Sequence, residues 1–160
     1  MARHLLMTHW RVNRAFPRRT LAAIEQAIKA SEAAHAGQVR FAVEGALHSA
    51  PLLKGQSPRE RAIELFSQLR VWDTRHNNGV LIYLLLADRA VEIVADRGVH
   101  PKVGSREWEN ICRRMEIAFK QSNYEGGVLA GIQAATQHLI KYFPASGAAQ
   151  NELPDRPVVL

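Results

Sequence analysis

The chain has 160 residues, 47% hydrophobic and 22% charged, which suffices for one ordinary domain with its own core and excludes a disordered chain. A single cysteine, Cys112, excludes an internal disulfide, and the longest apolar run, residues 80–87, is far short of the ~20 residues a membrane helix needs. The net charge is +6, from 21 basic and 15 acidic residues, and Arg3, Arg11, Arg14, Arg18 and Arg19 all precede the first acid, Glu25.

An arginine-rich arm suits nucleic acid or an anionic surface. Trp10 and Phe16 alone make no stacking platform, however, and no RNP, KH or zinc-finger pattern follows. Residues 1–17 are therefore read as a solvated basic segment leading into a helix, and nucleic acid is disfavoured as a partner. Leu5, Leu6 and Met7 are too short a run for a signal peptide, so a cytoplasmic location is expected.

Residues 18–36 predict a helix, with Leu21, Ile24 and Ile28 on one face and Gly37 as its stop. Val39, Phe41 and Val43 alternate with Arg40, Ala42 and Glu44, the period of a half-buried strand. After a loop over residues 48–56, Ser57, Pro58 and Glu60 form a helix start, with Ala62, Leu65, Phe66 and Leu69 as the buried stripe. Residues 72–78 read as a polar loop. Gly79 then opens an unbroken apolar strand through Leu86, a pattern that implies cover on both faces. A turn at Asp88-Arg89 leads to an antiparallel partner over residues 90–95, and residues 96–104 form a loop. Trp108, Ile111, Cys112, Met115 and Phe119 recur at helical spacing, as do Val128, Ile132, Ala135, Leu139 and Phe143. The order α, β, α, β, β, α, α predicts a three-layer α/β/α sandwich with a small mixed central sheet over residues 18–143. Residues 144–160 lack periodicity and are expected to be mobile.

Common catalytic patterns fail on spacing: there is no G-x-S-x-G, no phosphate-binding glycine loop, and no H-E-x-x-H among the seven histidines. Cys112 shares a stripe with Trp108, Met115 and Phe119, which makes it a core thiol. What the sequence does bring together is short polar residues at strand ends. In a hairpin, the residue entering the first strand lies beside the one leaving the second, so Asp96 should approach Asn78 and Gly79. The candidate cleft comprises Asp73, Arg75, Asn77, Asn78, Gly79, Asp96, Arg97 and Gly98, with Asp73, Asn78 and Asp96 as oxygen ligands for a hard cation.

Asn78-Gly79-Val80-Leu81 leading into an apolar strand, followed by Asp88-Arg89 and Val91-Glu92-Ile93, resembles the core of the TPM domain, a family named for a thylakoid lumen protein, a photosystem II repair protein and a nematode receptor-accessory protein. Ala62 to Leu69 with Trp72, Gly98, and Phe119 followed by Tyr124-Glu125-Gly126-Gly127 extend the resemblance over about residues 20–143. It implies an α/β/α sandwich. It also implies one of several roles, because some members are acid phosphatases, some bind calcium, and others are accessory factors of membrane complexes. Asn77 replaces the aspartate that usually precedes N-G-V-L, and the acid usual beyond Gly98 is replaced within residues 99–104, a stretch that includes His100.

The first expectation is a non-enzymatic accessory or protein-interaction domain, whose unidentified protein partner belongs to a membrane-associated complex. A weak phosphatase assisted by a divalent cation is the alternative, with Asp73 or Asp96 positioning the cation and Arg75, Arg89 or Arg97 binding phosphate. Binding of anionic surfaces or nucleic acid through the N-terminal arginines is the third. No cofactor is required; weak binding of calcium or another divalent cation is expected.

Overall fold

The computed structural model describes residues 2–47, 55–145 and 151–160, with side chains described from Thr8 onward. The elements in chain order are α1 (Ala2–Ala15), α2 (Arg18–Ala33), β1 (Gln38–Glu44), α3 (Pro58–Gln68), β2 (Gly79–Leu85), β3 (Ala90–Ala95), α4 (His100–Val103), α5 (Ser105–Lys120), α6 (Tyr124–Tyr142) and β4 (Val158–Val159). The strands form one mixed sheet in the order β3-β2-β1-β4. β1 runs parallel to β2, with Gln38 beside Gly79 and Glu44 beside Leu85. β2 and β3 form the expected antiparallel hairpin, Val80 facing Ala95 and Leu85 facing Ala90.

Every residue of β2 is buried, as its unbroken apolar sequence requires of a central strand. Val80, Ile82 and Leu84 join Val39, Phe41, Val43, Val91 and Ile93 in a core shared with α1, α2, α5 and α6. Leu81, Tyr83 and Leu85 point the other way, into a smaller core with Ala42, Val94, and Ala62 and Leu65 of α3. Period-2 alternation thus feeds two helical layers from one sheet, giving the α/β/α sandwich. The helix starts follow local chemistry. The Glu60 N–H donates to Ser57 Oγ at 3.1 Å ahead of α3, and the Gly126 N–H donates to Asn123 Oδ1 at 3.1 Å ahead of α6.

Several expectations change. Residues 1–17 are not a solvated arm, because residues 2–15 are helical and Val12 and Phe16, four apart, bury their side chains in the core. Phe16 packs on Phe41 and Tyr124 with ring centroids 5.8 Å from each. The helix expected to reach residue 36 ends at Ala33. There the His35 ring bonds Ser31 and the Gly37 N–H, which draws the chain out of the helix. Gly37 serves close packing against Leu139 and the Asn78 carbonyl, not a left-handed stop. β1, expected to be half-buried, is covered on both faces. Its charged residues are taken up by partners: Arg40 donates to the Pro154 carbonyl at 2.8 Å, and Glu44 receives both Arg61 (2.9 and 3.0 Å) and the Tyr83 hydroxyl (2.8 Å). The loop over residues 96–104 contains the one-turn helix α4.

The segment expected to be mobile, residues 144–160, instead ends in a strap. Leu153 is buried, and Val158 and Val159 pair in parallel with Ala42 and Val43 as a fourth strand. Main-chain bonding to the open edge of β1 is what a hydropathy pattern cannot reveal. Residues 146–150 of that segment, and residues 48–54 of the expected 48–56 loop, lie outside the described residues. Among the described residues no helix is long and apolar enough to cross a membrane.

Candidate functional site

The residues singled out from sequence gather at the amino ends of β1 and β2. The Asp96 N–H donates to the Gly79 carbonyl at 2.9 Å, and the Gly98 N–H to the Asn77 carbonyl at 2.9 Å, so the 73–79 loop and the 96–98 turn are joined as the hairpin geometry predicts. Asn77 has φ of 52°, a left-handed conformation that a short polar side chain adopts at modest cost. Asn78 is fully buried and stitches three segments together. Its N–H donates to Thr74 Oγ1 (3.0 Å), its Nδ2 to the Ala36 carbonyl (3.0 Å), and its carbonyl accepts from the Gln38 N–H (3.2 Å). Thr74 and Ala36, absent from the sequence-level set, are part of this cluster.

Asp73, Arg75 and Arg97 bond further groups. The Asp73 carboxylate is more than half exposed and pairs with Arg70 at 3.0 Å. The Arg75 N–H donates to Glu152 of the strap at 2.7 Å, and the Arg97 N–H to Asp96 Oδ1 at 2.7 Å. Asn78 Oδ1 and Asp96 Oδ2 are buried oxygens without a partner, the kind of atom a cation could use. They supply one negative charge, whereas calcium takes six to eight oxygens. Among the described residues no three His, Cys, Asp or Glu side chains form a group able to hold a metal. The donor set does not fit a calcium centre.

A cleft of about 880 Å³ lies at the opposite end, beside the carboxyl ends of the parallel strands β1 and β2. That is where open α/β sheets place ligands. Because β3 is antiparallel, its carboxyl end, with Asp96, falls at the amino end of β2, so the cleft chosen from sequence and this one lie at opposite rims of the sheet. The floor comprises Gly45, Ala46 and residues 86–89, and the walls are α1 and the α5–α6 junction. The β1–β2 ladder continues into it, with the Leu86 N–H bonded to the Glu44 carbonyl and the Ala87 N–H to the Gly45 carbonyl, both at 2.9 Å. Gly45 lets α1 seat there, since a Cβ at this position would lie 1.8 Å from Thr8 Cγ2.

The cleft is basic. Arg11 and Arg14 face it from α1 and Arg89 from the hairpin tip, against Asp88, the single carboxylate among the described lining residues. Arg14 lies over the Trp10 ring at 5.2 Å. Arg89, with φ of 50°, donates through Nε to Tyr124 Oη at 3.2 Å, and Tyr124 is fixed between Phe16 and Phe119. These residues come from four separated stretches of chain, so no local motif announces them. The one available signal was the Asp88-Arg89 turn at the carboxyl end of the central strand.

Cys112 is buried and burial, with the Glu92 and Glu116 charges adding to it, pushes its thiol up to about 12. It is a core thiol, as its stripe implied.

A scan against protein-family models matches the TPM domain over residues 13–138. A search of curated proteins finds no match. Among solved structures, the chain is similar to the BA42 protein of the psychrophilic bacterium Bizionia argentinensis, with 29% identity, a TM-score of 0.77, and coverage of 89% of this chain and 93% of that one. It also shares its fold with the N-terminal domain of a protein from P. gingivalis, with 21% identity, a TM-score of 0.64, and coverage of 79% of this chain and 77% of that one. Arg14, Asp88, Arg89 and Tyr124 lie inside the matched span, whereas Thr8 and Arg11 precede it. Matched over most of its length from α1 into α6, the chain belongs to the TPM domain family.

Proposed function

We propose that this TPM domain is a protein-interaction module whose arginine-bearing cleft takes an acidic segment of a partner protein. The observation that carries the reading is the convergence of Arg11, Arg14 and Arg89 on one open cleft with a single opposing carboxylate among its described residues. Guanidinium groups offer forked donors matched to carboxylates, and three of them from two elements suit several anionic groups along an extended segment better than one small ion. Such a surface steers and selects its partner chiefly through electrostatic complementarity.

The test is fluorescence anisotropy with a labelled glutamate-rich peptide. Binding is expected to weaken as salt rises and to weaken at least about tenfold on Arg11→Glu with Arg89→Glu. Reversal of Arg113, a solvent-facing residue of α5, is expected to leave it unchanged. Equal binding by the cleft variant would remove the reading. Steady hydrolysis of p-nitrophenyl phosphate, lost in Asp73→Asn or Asp96→Asn, would replace it with the phosphatase alternative.

A further inference from the structure

Arg89 reaches the cleft from a backbone conformation that an arginine adopts only at a cost. The β2–β3 hairpin turns through residues 86–89, and the Arg89 N–H closes that turn on the Leu86 carbonyl at 3.1 Å. Its φ of 50° is left-handed, the conformation for which turns ordinarily use glycine or asparagine. Ser122, in the α5–α6 junction two residues before Tyr124, has φ of 59° and lines the same cleft. A glycine at position 89 would relieve the strain and delete the guanidinium, so the strained arginine marks a functional demand.

The two left-handed turns bring together the halves of one contact. Tyr124 is held by its ring, tilted on Phe16 with centroids 5.8 Å apart and stacked on Phe119 at 5.7 Å, both of them buried. Its hydroxyl oxygen accepts the Arg89 Nε–H at 3.2 Å. That bond uses the side of the guanidinium and leaves its Nη1–Nη2 end. Among the described residues neither Nη nitrogen has a partner. Two parallel N–H donors on a tethered plane are the fork that fits a carboxylate bidentately. Arg11 and Arg14 differ from it: both are exposed on α1, and Arg14 lies over the Trp10 ring at 5.2 Å.

We propose that Arg89 is the specificity-determining residue of the cleft, a fork set by Tyr124 that takes one aspartate or glutamate carboxylate of the partner segment, while Arg11 and Arg14 draw that segment in by charge alone. This rests on the reading of the cleft as a site for an acidic segment, and adds how one residue of the segment is held. Tyr124 acts through Arg89 and is a positioning residue. An untethered arginine gives up rotamer freedom when it forms a bidentate pair, and the Tyr124 bond removes part of that freedom before the partner arrives. The two kinds of contact carry different kinetic signatures. Steering charges set the association rate and its salt dependence, whereas a hydrogen-bonded charge pair sets dissociation.

Stopped-flow anisotropy with the labelled glutamate-rich peptide reads both rates on the full chain. Arg89→Lys keeps the charge and loses the fork; it is expected to raise the dissociation rate at least about fivefold and to leave association within about twofold of wild type. Tyr124→Phe keeps the ring between Phe16 and Phe119 and removes only the hydroxyl, and should raise dissociation about threefold with the salt slope unchanged. Arg11→Gln with Arg14→Gln should do the opposite, slowing association and flattening the salt dependence with dissociation little changed. Arg89→Gly should melt no lower than wild type yet release the peptide at least as fast as Arg89→Lys, which separates loss of the fork from loss of the fold. A wild-type chain that does not bind the peptide would remove the acidic-segment reading and this inference with it. Wild-type binding, with Arg89→Lys or Tyr124→Phe dissociating at the wild-type rate, would leave that reading standing and overturn this inference alone.

Discussion

His35 Nε2 lies 2.8 Å from Ser31 Oγ, one helical turn earlier, in a site where both residues are buried. The Gly37 N–H donates to His35 Nδ1 at 3.0 Å, so the ring is the tautomer with hydrogen on Nε2 and donates to the serine. The Ser31 hydroxyl then donates to Thr136 Oγ1, whose own hydroxyl donates to the Ile132 carbonyl at 2.6 Å. A serine beside a histidine suggests a nucleophile and its base, but the direction of this chain is the reverse of that arrangement. The histidine gives its proton to the serine, and the serine's proton is engaged with α6. The network fastens α2 to α6 and sets the start of β1.

That network predicts acid sensitivity. Burial lowers His35 from 6.5 to about 4. Above pH 6.5 the ring is neutral whether the chain is folded or not, and stability is full. As pH falls from 6.5 toward 4 only the unfolded chain takes up the proton, so stability should drop by about 3 kcal/mol across that window. Urea unfolding at pH 7, 5.5 and 4 measures it. His35→Gln should lower stability at pH 7 and flatten the dependence; a profile identical to the wild type would mean that other groups carry the acid response.

What the sequence disclosed follows physical lines. β2 was legible because seven apolar residues in a row can only be a strand covered on both faces, and α5 because Trp108, Met115 and Phe119 repeat at helical spacing. The Asp96–Gly79 junction was legible because hairpin geometry forces it. Helix α1 was hidden, since Val12 and Phe16 are two apolar anchors among arginines. β4 was hidden because two residues held by main-chain bonds to β1 carry no periodicity. The basic cleft was hidden for a third reason, that it exists only after α1, the hairpin tip and the α5–α6 junction are brought to one sheet end.

The α5 stripe gives the core its sharpest test. Phe119 is fully buried, stacks on Tyr124 with centroids 5.7 Å apart, and lies so close to Gly127 that a Cβ there would sit 2.6 Å from its ring. With the neighbouring helix already at closest approach, the space left by Phe119→Ala has little to fill it. The substitution should cost roughly 3–5 kcal/mol. A loss below about 1 kcal/mol by denaturant titration would show that the α5–α6 interface collapses onto the void.

The last prediction concerns divalent cations at the amino ends of β1 and β2. Of the three ligands proposed from sequence, Asp73 is held by Arg70 at 3.0 Å, and only Asn78 and Asp96 offer free buried oxygens. Asn77 supplies the left-handed turn but no charge, and His100 is engaged with Ser105 at 3.2 Å. Two oxygens and one negative charge leave most of the coordination to water, and moving Asp73 into place would break its ion pair. Calcium affinity should therefore be no better than about millimolar, the weak end for protein sites, and magnesium, which gives up its waters reluctantly, weaker still. Titration calorimetry on the metal-free protein reads this directly, and Asp96→Asn should leave the flat response unchanged. Micromolar binding removed by Asp73→Asn or Asp96→Asn would instead mean that the Arg70 pair opens and the two loops close around the ion, and would favour the cation-assisted phosphatase alternative at this rim.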